Sequence, residues 1–278
     1  MFKSILYRSS EIFYRVIGEG KPVLLLHGFG EDGEIWDKQV ECLKTRFRLI
    51  VPDLPGSGKS GIISREPGVG SQELAVGMED YADLVKAILH EEKITECIML
   101  GHSLGGYITL AFAEKYPASL NAFGLLHSSA FADSEEKKAA RRKSNTCIKN
   151  NGAYEFLKAS IPGLFKASEG LESTDRLNKP FEALIERGRN FSAEALIQYY
   201  EAMIARPDRT EVLKTFPGPI LFIIGQHDNA VPFQQSLQQC YLPAISHVDI
   251  LRNSAHMGMM EETDKVNEII SAFLLFNM

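Results

Sequence analysis

Gly101-His102-Ser103-Leu104-Gly105 decides how the rest of the chain is read. These residues follow the apolar run Cys97-Ile98-Met99-Leu100, which reads as a buried strand, and precede Gly106-Tyr107-Ile108-Thr109-Leu110-Ala111-Phe112-Ala113, which reads as a helix. A serine set between glycines at a strand-to-helix junction fits a strained turn that lifts its hydroxyl clear of the backbone, because flanking glycines keep side chains from colliding. Ser103 is therefore a candidate nucleophile. A serine hydroxyl is a weak nucleophile at neutral pH, so the rest of the chain must supply an imidazole base, a carboxylate to orient it and donors for an anion.

Working towards the N-terminus, Pro22-Val23-Leu24-Leu25-Leu26 is a short continuous apolar run, the pattern of a central strand covered on both faces. It ends in His27-Gly28-Phe29-Gly30, a glycine-bearing loop just beyond a strand's carboxyl end, where ligands bind in open α/β sheets. The backbone N–H of Phe29, paired with that of Leu104, is the expected oxyanion hole, each fixed donor contributing roughly 3 kcal/mol to a tetrahedral anion. His27 is expected to orient this loop. Residues 2–17 carry two apolar-rich stretches that read as an antiparallel hairpin at one sheet edge.

Trp36, Val40 and Leu43 mark a short amphipathic helix, and Phe47-Arg48-Leu49-Ile50-Val51 is the next strand. The stretch that follows ends in Gly58-Lys59-Ser60 and imitates a phosphate-binding loop. Asp53 stands where that motif needs its first glycine, and Pro55 removes a backbone donor, so a nucleotide hydrolase is set aside. Residues 61–77 read as an irregular, glycine-rich surface excursion. Tyr81, Leu84, Val85, Ile88 and Leu89 then fall on one helical face behind acidic Glu79 and Asp80.

Beyond the serine turn, Asn121-Ala122-Phe123-Gly124-Leu125-Leu126-His127 is another strand, after which the character of the chain changes. The sequence predicts helices and no buried strand up to about Arg209, so three segments are expected: a core over 1–129, a helical cap insertion over 130–210, and the rest of the core over 211–278. The charge run from Glu135 to Lys143 reads as the solvated face of a cap helix. The core resumes with Pro219-Ile220-Leu221-Phe222-Ile223-Ile224-Gly225, which delivers Gln226-His227-Asp228-Asn229-Ala230-Val231-Pro232. A last strand, Ser246–Leu251, leads into the loop carrying His256, and Val266, Ile269, Ile270, Phe273 and Leu274 define a closing helix.

Of the seven histidines, His256 is the candidate base, because it lies in a loop after a strand. His90 and His247 sit within regular elements, His102 fills the variable position of the serine turn, His127 ends a strand under the cap within reach of substrate, and His227 only precedes an acid in sequence. Asp228 is the preferred carboxylate on loop placement, with Asp133 its rival. Arg187, Arg189 and Arg206 could pair with a substrate carboxylate or be solvated.

Composition narrows the classes. With 278 residues and 45% hydrophobic content the chain can bury a large core, and a net charge of -6 argues against a nucleic-acid surface and suggests no membrane-binding one. The four cysteines are widely spaced, which argues against a disulfide framework or metal site and suggests buried free thiols in a reducing compartment. No apolar run reaches the length of a signal peptide or a membrane span, so a cytoplasmic location is expected.

Together the loops at His27–Gly30, Asp53–Ser60, Gly101–Tyr107, Gly225–Pro232 and Ser254–Met257 resemble the α/β-hydrolase superfamily across nearly the whole core. The resemblance implies an α/β fold with a mostly parallel eight-stranded sheet flanked by helices. It also implies a catalytic triad of Ser103, Asp228 and His256, in that family's chain order, and an oxyanion hole from the Phe29 and Leu104 amides. The expected activity is hydrolysis of a small-molecule ester, thioester or lactone by a monomer or homodimer, with no cofactor and no metal. The same fold also serves C–C bond hydrolases, lyases and hormone-binding proteins, which remain as alternatives.

Overall fold

The computed structural model describes residues 1–64, 75–167 and 181–277. Its strands are β1 (Phe2–Tyr7), β2 (Ser10–Ile17), β3 (Lys21–Leu26), β4 (Phe47–Pro52), β5 (Cys97–His102), β6 (Leu120–Leu126), β7 (Ile220–Gly225) and β8 (Ser246–Leu251). They form one eight-stranded sheet in the order β1-β2-β4-β3-β5-β6-β7-β8. The pairs β1–β2 and β2–β4 are antiparallel and the other five are parallel. The hairpin expected over residues 2–17 is the antiparallel edge, with Phe2 opposite Arg15 and Tyr7 opposite Ser10.

Burial follows position in the sheet. β5 and β7 are buried at all six positions, as continuous apolar runs require when both faces are covered, whereas edge strand β1 alternates between exposed and half-buried residues. The helices are α1 (Asp37–Leu43), α2 (Met78–Glu91), α3 (Leu104–Lys115), α4 (Glu135–Asn151), α5 (Ala153–Ser160), α6 (Phe181–Arg187), α7 (Ala193–Ala205), α8 (Thr210–Thr215), α9 (Phe233–Gln239), α10 (Gly258–Glu261) and α11 (Thr263–Phe276). α2 buries the predicted face of Tyr81, Leu84, Val85, Ile88 and Leu89, and the Asp80 carboxylate at its start accepts the Gly77 N–H at 2.8 Å. α1 packs on α11 and α2 on α3.

Between β6 and β7 the described residues form α4 to α8 and no strand, and the helical stretch runs on to Thr215, past the expected end at 210. Part of that stretch, 168–180, lies outside the described residues, as does 65–74 of the excursion expected over 61–77. All four cysteines are free, but only Cys97 and Cys240 are buried; Cys42 is exposed and Cys147 is partly so, which corrects the expectation of four buried thiols. Among the described residues no helix is long and apolar enough to cross a membrane.

The parallel neighbours β3, β5, β6, β7 and β8 end on one edge of the sheet. Their register sets Leu26 beside Gly101, His102 beside Leu126, Leu126 beside Ile223 and Gly225 beside Leu251. The loops carrying Phe29, Ser103, His127, Asp228 and His256 therefore emerge side by side.

Candidate active site

Ser103 joins β5 to α3 with φ 50° and ψ -113°, a left-handed conformation that serine rarely adopts. The surroundings leave room only for glycine: a Cβ on Gly101 would lie 2.3 Å from the Gly105 carbonyl oxygen, and one on Gly105 would lie 2.4 Å from that of Leu26. The strained serine is anchored on both sides, its N–H donating to Leu126 O at 2.9 Å and its carbonyl accepting from Ser128 Oγ at 2.8 Å. It stands at the N-terminus of α3, where the helix dipole favours negative charge.

Asp228 follows β7 and is almost fully buried. One carboxylate oxygen accepts the N–H groups of Ala230 and Val231, each at 2.8 Å, and the other accepts from His256 Nδ1 at 2.8 Å. Burial opposes its ionisation, but His256, His127 and these hydrogen bonds outweigh burial and hold the carboxyl far below the ordinary range. With Nδ1 taken by Asp228, Nε2 is left as the basic nitrogen of His256. The loop of His256 is itself braced, because Glu261 accepts the Ala255 N–H at 2.9 Å, Glu262 accepts from Ser254 Oγ at 2.7 Å, and the His256 N–H donates to Leu164 O at 2.9 Å.

Two further histidines pack around this one. His102 and His127 have ring centroids 4.9 and 5.8 Å from that of His256. His102 Nδ1 is 3.0 Å from Glu31 Oε2 and its Nε2 is 3.0 Å from the His256 carbonyl oxygen. With Glu31 ionised, both ring nitrogens of His102 donate and the two residues form a buried ion pair. Burial works against charge on either partner, yet their mutual attraction raises His102 and lowers Glu31. The variable residue of the serine turn thus ties the His256 backbone to the loop after β3, where Glu31 also accepts the Gly28 N–H at 2.7 Å. Sequence reasoning missed this pair; its one local signal is an acid four positions after His27.

His127, expected within reach of substrate, lies behind Asp228 instead, its Nδ1 3.3 Å from Asp228 Oδ2. Burial lowers its pKa to about 4, so it is neutral. Ligand atoms of His127, Asp228 and His256 lie within 4.8 Å of one another, but the last two already satisfy each other by hydrogen bonding. His27 does hold its loop, with Nδ1 2.8 Å from Gly28 O and Nε2 accepting the Leu54 N–H at 2.9 Å.

Ser103 and His256 line one cavity of about 290 Å³, shared with Phe29, Glu31 and Tyr107 of the core, Asn229 to Val231, and residues of α4 and α7. A larger surface depression of about 800 Å³ beside Val248 and Lys265 contains none of the candidate residues. Phe29 stacks on Tyr200 of α7 with ring centroids 4.2 Å apart. The N–H groups of Phe29 and Leu104 donate to nothing among the described residues.

Asp133, the rival acid, is taken up by two arginines: it binds Arg141 Nε at 2.6 Å and Arg206 at 3.0 Å. The arginines read as substrate partners or as solvated are instead engaged within the protein. Arg187 pairs with Asp32 and Glu34, Arg189 with Glu186, and buried Arg206 with Asp133 and the carbonyls of Met203 and Phe131. The charge run read as a solvated face is exposed at Glu135, Glu136, Ala139, Ala140, Arg142 and Lys143, and its half-buried Lys137 and Arg141 also line the cavity. The imitation phosphate loop is filled by the Asp53 carboxylate, which accepts the N–H groups of Gly33 at 3.0 Å and Lys59 at 3.2 Å.

Comparison with known proteins agrees with this architecture. A chain named carbamate hydrolase RutD from Pantoea ananatis is 27% identical over 95% of this chain and 93% of its own length. A thermophilic esterase from Thermogutta terrifontis superposes with a TM-score of 0.85 at 29% identity, covering 99% of this chain and 98% of that one. An enol-lactonase from Burkholderia xenovorans shares the fold, with a TM-score of 0.82 at 21% identity over 98% of this chain and 100% of its own. The model of the α/β hydrolase fold family matches residues 21–263, and the chain belongs to that family of enzymes.

Proposed function

We propose that the protein is a serine hydrolase of small carboxylic esters, thioesters or lactones, acting through an acyl-enzyme on Ser103. The observation that carries this reading is a strained Ser103 lining the same cavity as His256, whose Nδ1 is held by the Asp228 carboxylate at 2.8 Å. His256 Nε2 takes the Ser103 proton as Oγ bonds to the substrate carbonyl carbon and the carbonyl electrons move onto oxygen. The Phe29 and Leu104 N–H groups receive that oxyanion. As the carbonyl reforms, the bond to the leaving alcohol breaks and His256 returns the proton to it. Water then repeats the cycle on the acyl-serine and the acid departs. Asp228, ionised throughout the working pH range, balances the imidazolium.

The helices between β6 and β7 act as a cap in this reading, since α4 and α7 close the cavity over Ser103. The relatives named carbamate hydrolases bring carbamates into the set of acyl compounds to test. The test is a panel of 4-nitrophenyl esters and carbamates with product analysis, alongside labelling by a fluorophosphonate. Wild type is expected to turn over at least one short ester and to be labelled at Ser103, and Ser103→Ala to lose both. Full turnover by Ser103→Ala, or products of C–C cleavage or elimination in place of hydrolysis, overturns the proposal.

A further inference from the structure

The wall of the cavity opposite the core is cationic. Lys137, Ala140, Arg141 and Ser144 recur at i, i+3, i+4 and i+7 along α4, so one helical face turns all four to the cavity. The helix starts where Ser134 caps it, its hydroxyl accepting the Lys137 N–H at 3.3 Å. Arg141 is fixed by one bond, Nε to Asp133 at 2.6 Å, and its guanidinium lies 5.4 Å from the Tyr200 ring centroid. Its two terminal NH₂ groups donate to nothing among the described residues. Lys137 Nζ spends one donor on Ala230 O at 2.9 Å and stands 3.8 Å from Asp133.

The charge balance here is positive. Among the described residues Asp133 is the carboxylate that pairs with Lys137, Arg141 and Arg206, while Glu31 pairs with His102 and Asp228 with His256. Tyr107, one turn along α3 from Ser103, also lines the cavity, with the Arg206 guanidinium 3.9 Å from its ring centroid. Burial would raise its phenol, yet Arg206, Lys137 and Arg141 bring it below its ordinary value.

We propose that this cavity binds a free carboxylate of the substrate on Arg141 and Lys137, making the preferred substrate class a small carboxylate-bearing ester. The ester half of the statement rests on the serine hydrolase reading. The carboxylate half rests on α4 alone. A guanidinium with two open NH₂ groups presents the fork that matches a carboxylate, and Lys137 adds a second charge. At about 290 Å³ the cavity falls at the small end of ligand sites, which fits a short monoester.

The test uses two matched pairs, one with the charge on the acyl side and one with it on the leaving side. They are monoethyl adipate against ethyl heptanoate, and 3-acetoxybenzoate against phenyl acetate. In wild type at least one anionic ester is expected to exceed its neutral partner in kcat/KM by about tenfold or more. Arg141→Gln and Lys137→Gln should each shrink that ratio, and Arg141→Lys should restore part of it. Lys137→Gln leaves both arginines on Asp133, which keeps the test valid if Arg141→Gln fails to fold. Calorimetric binding of adipate to the Ser103→Ala chain separates the two readings. If adipate binds and Arg141→Gln abolishes it while no ester is turned over, the hydrolase reading falls and the carboxylate site stands. Equal handling of anionic and neutral esters, or an anionic preference unchanged by Arg141→Gln, overturns the carboxylate site.

Discussion

Asp228 and Asp133 both lie beyond the carboxyl end of a strand, after β7 and β6, and the side chain of each is 1% exposed. Both are held below the ordinary carboxylate range, Asp133 at about 2, because basic neighbours and hydrogen bonds outweigh burial. Their partners separate them. Asp228 faces an imidazole that can gain and lose a proton, whereas Asp133 faces guanidinium groups that cannot. Asp53, beyond β4, is a third case, accepting backbone N–H groups and bracing a turn. Burial and a lowered pKa thus mark an ionised carboxylate, and only the titratability of its partner makes it a candidate for proton chemistry.

The largest expected effect breaks this comparison most directly. Asp228→Asn should lower kcat for a short 4-nitrophenyl ester by about 10³- to 10⁴-fold with the fold retained, because the amide cannot stabilise an imidazolium. Asp133→Asn should move kcat far less. Equal losses in the two variants would erase the distinction. Asp133→Asn should instead destabilise the protein by about 3 to 5 kcal/mol in denaturant melts, since it strands the buried Arg206 charge.

A smaller effect concerns His127, beside the same Asp228. Its pKa of about 4 lies below the ordinary 6.5, so the unfolded chain binds its proton first and stability is lost as pH falls from 6.5 towards 4. The loss is about 3 kcal/mol from this residue, and His127→Asn should flatten that part of a stability-against-pH curve. His102 has the opposite sign. Its raised pKa contributes stability that is complete below 6.5 and declines as pH rises through the folded value, while Glu31, lowered from 4.5, contributes above 4.5 and loses it on acidification. Glu31→Gln should therefore cost most stability between pH 4.5 and 6.5, measured by the same melts. The smallest effect is expected at Lys59, whose exposed side chain flanks the turn filled by Asp53: Lys59→Ala should leave turnover within about twofold and reveal no nucleotide binding.

Elements whose signal is local are legible in the chain. The continuous apolar runs of β3, β5 and β7 announce strands covered on both faces, and the five-residue face of α2 announces a helix. The glycines around Ser103 announce a turn that no other residue fits. The pairing of His102 with Glu31 is not legible, because it joins residues 71 positions apart through the register of β3 and β5. The α4 run is legible in part. Most of its nine residues are exposed, as that pattern predicts, and only packing brings Lys137 and Arg141 to the cavity wall.

By itself the sequence determines the order of the strands' appearance, the helical stretch after β6 and the short-range geometry of the serine turn, since period, glycine placement and turn chemistry act over a few residues. Tertiary structure decides how these groups meet: Asp228, preferred in the sequence on loop placement, holds His256 Nδ1, and His102 pairs with Glu31. It also decides which arginines are already spent and that Arg141 is bonded only through its Nε among the described residues. These depend on distances between residues far apart in the chain, and at such distances an ion pair made or missed inverts what a charged side chain does.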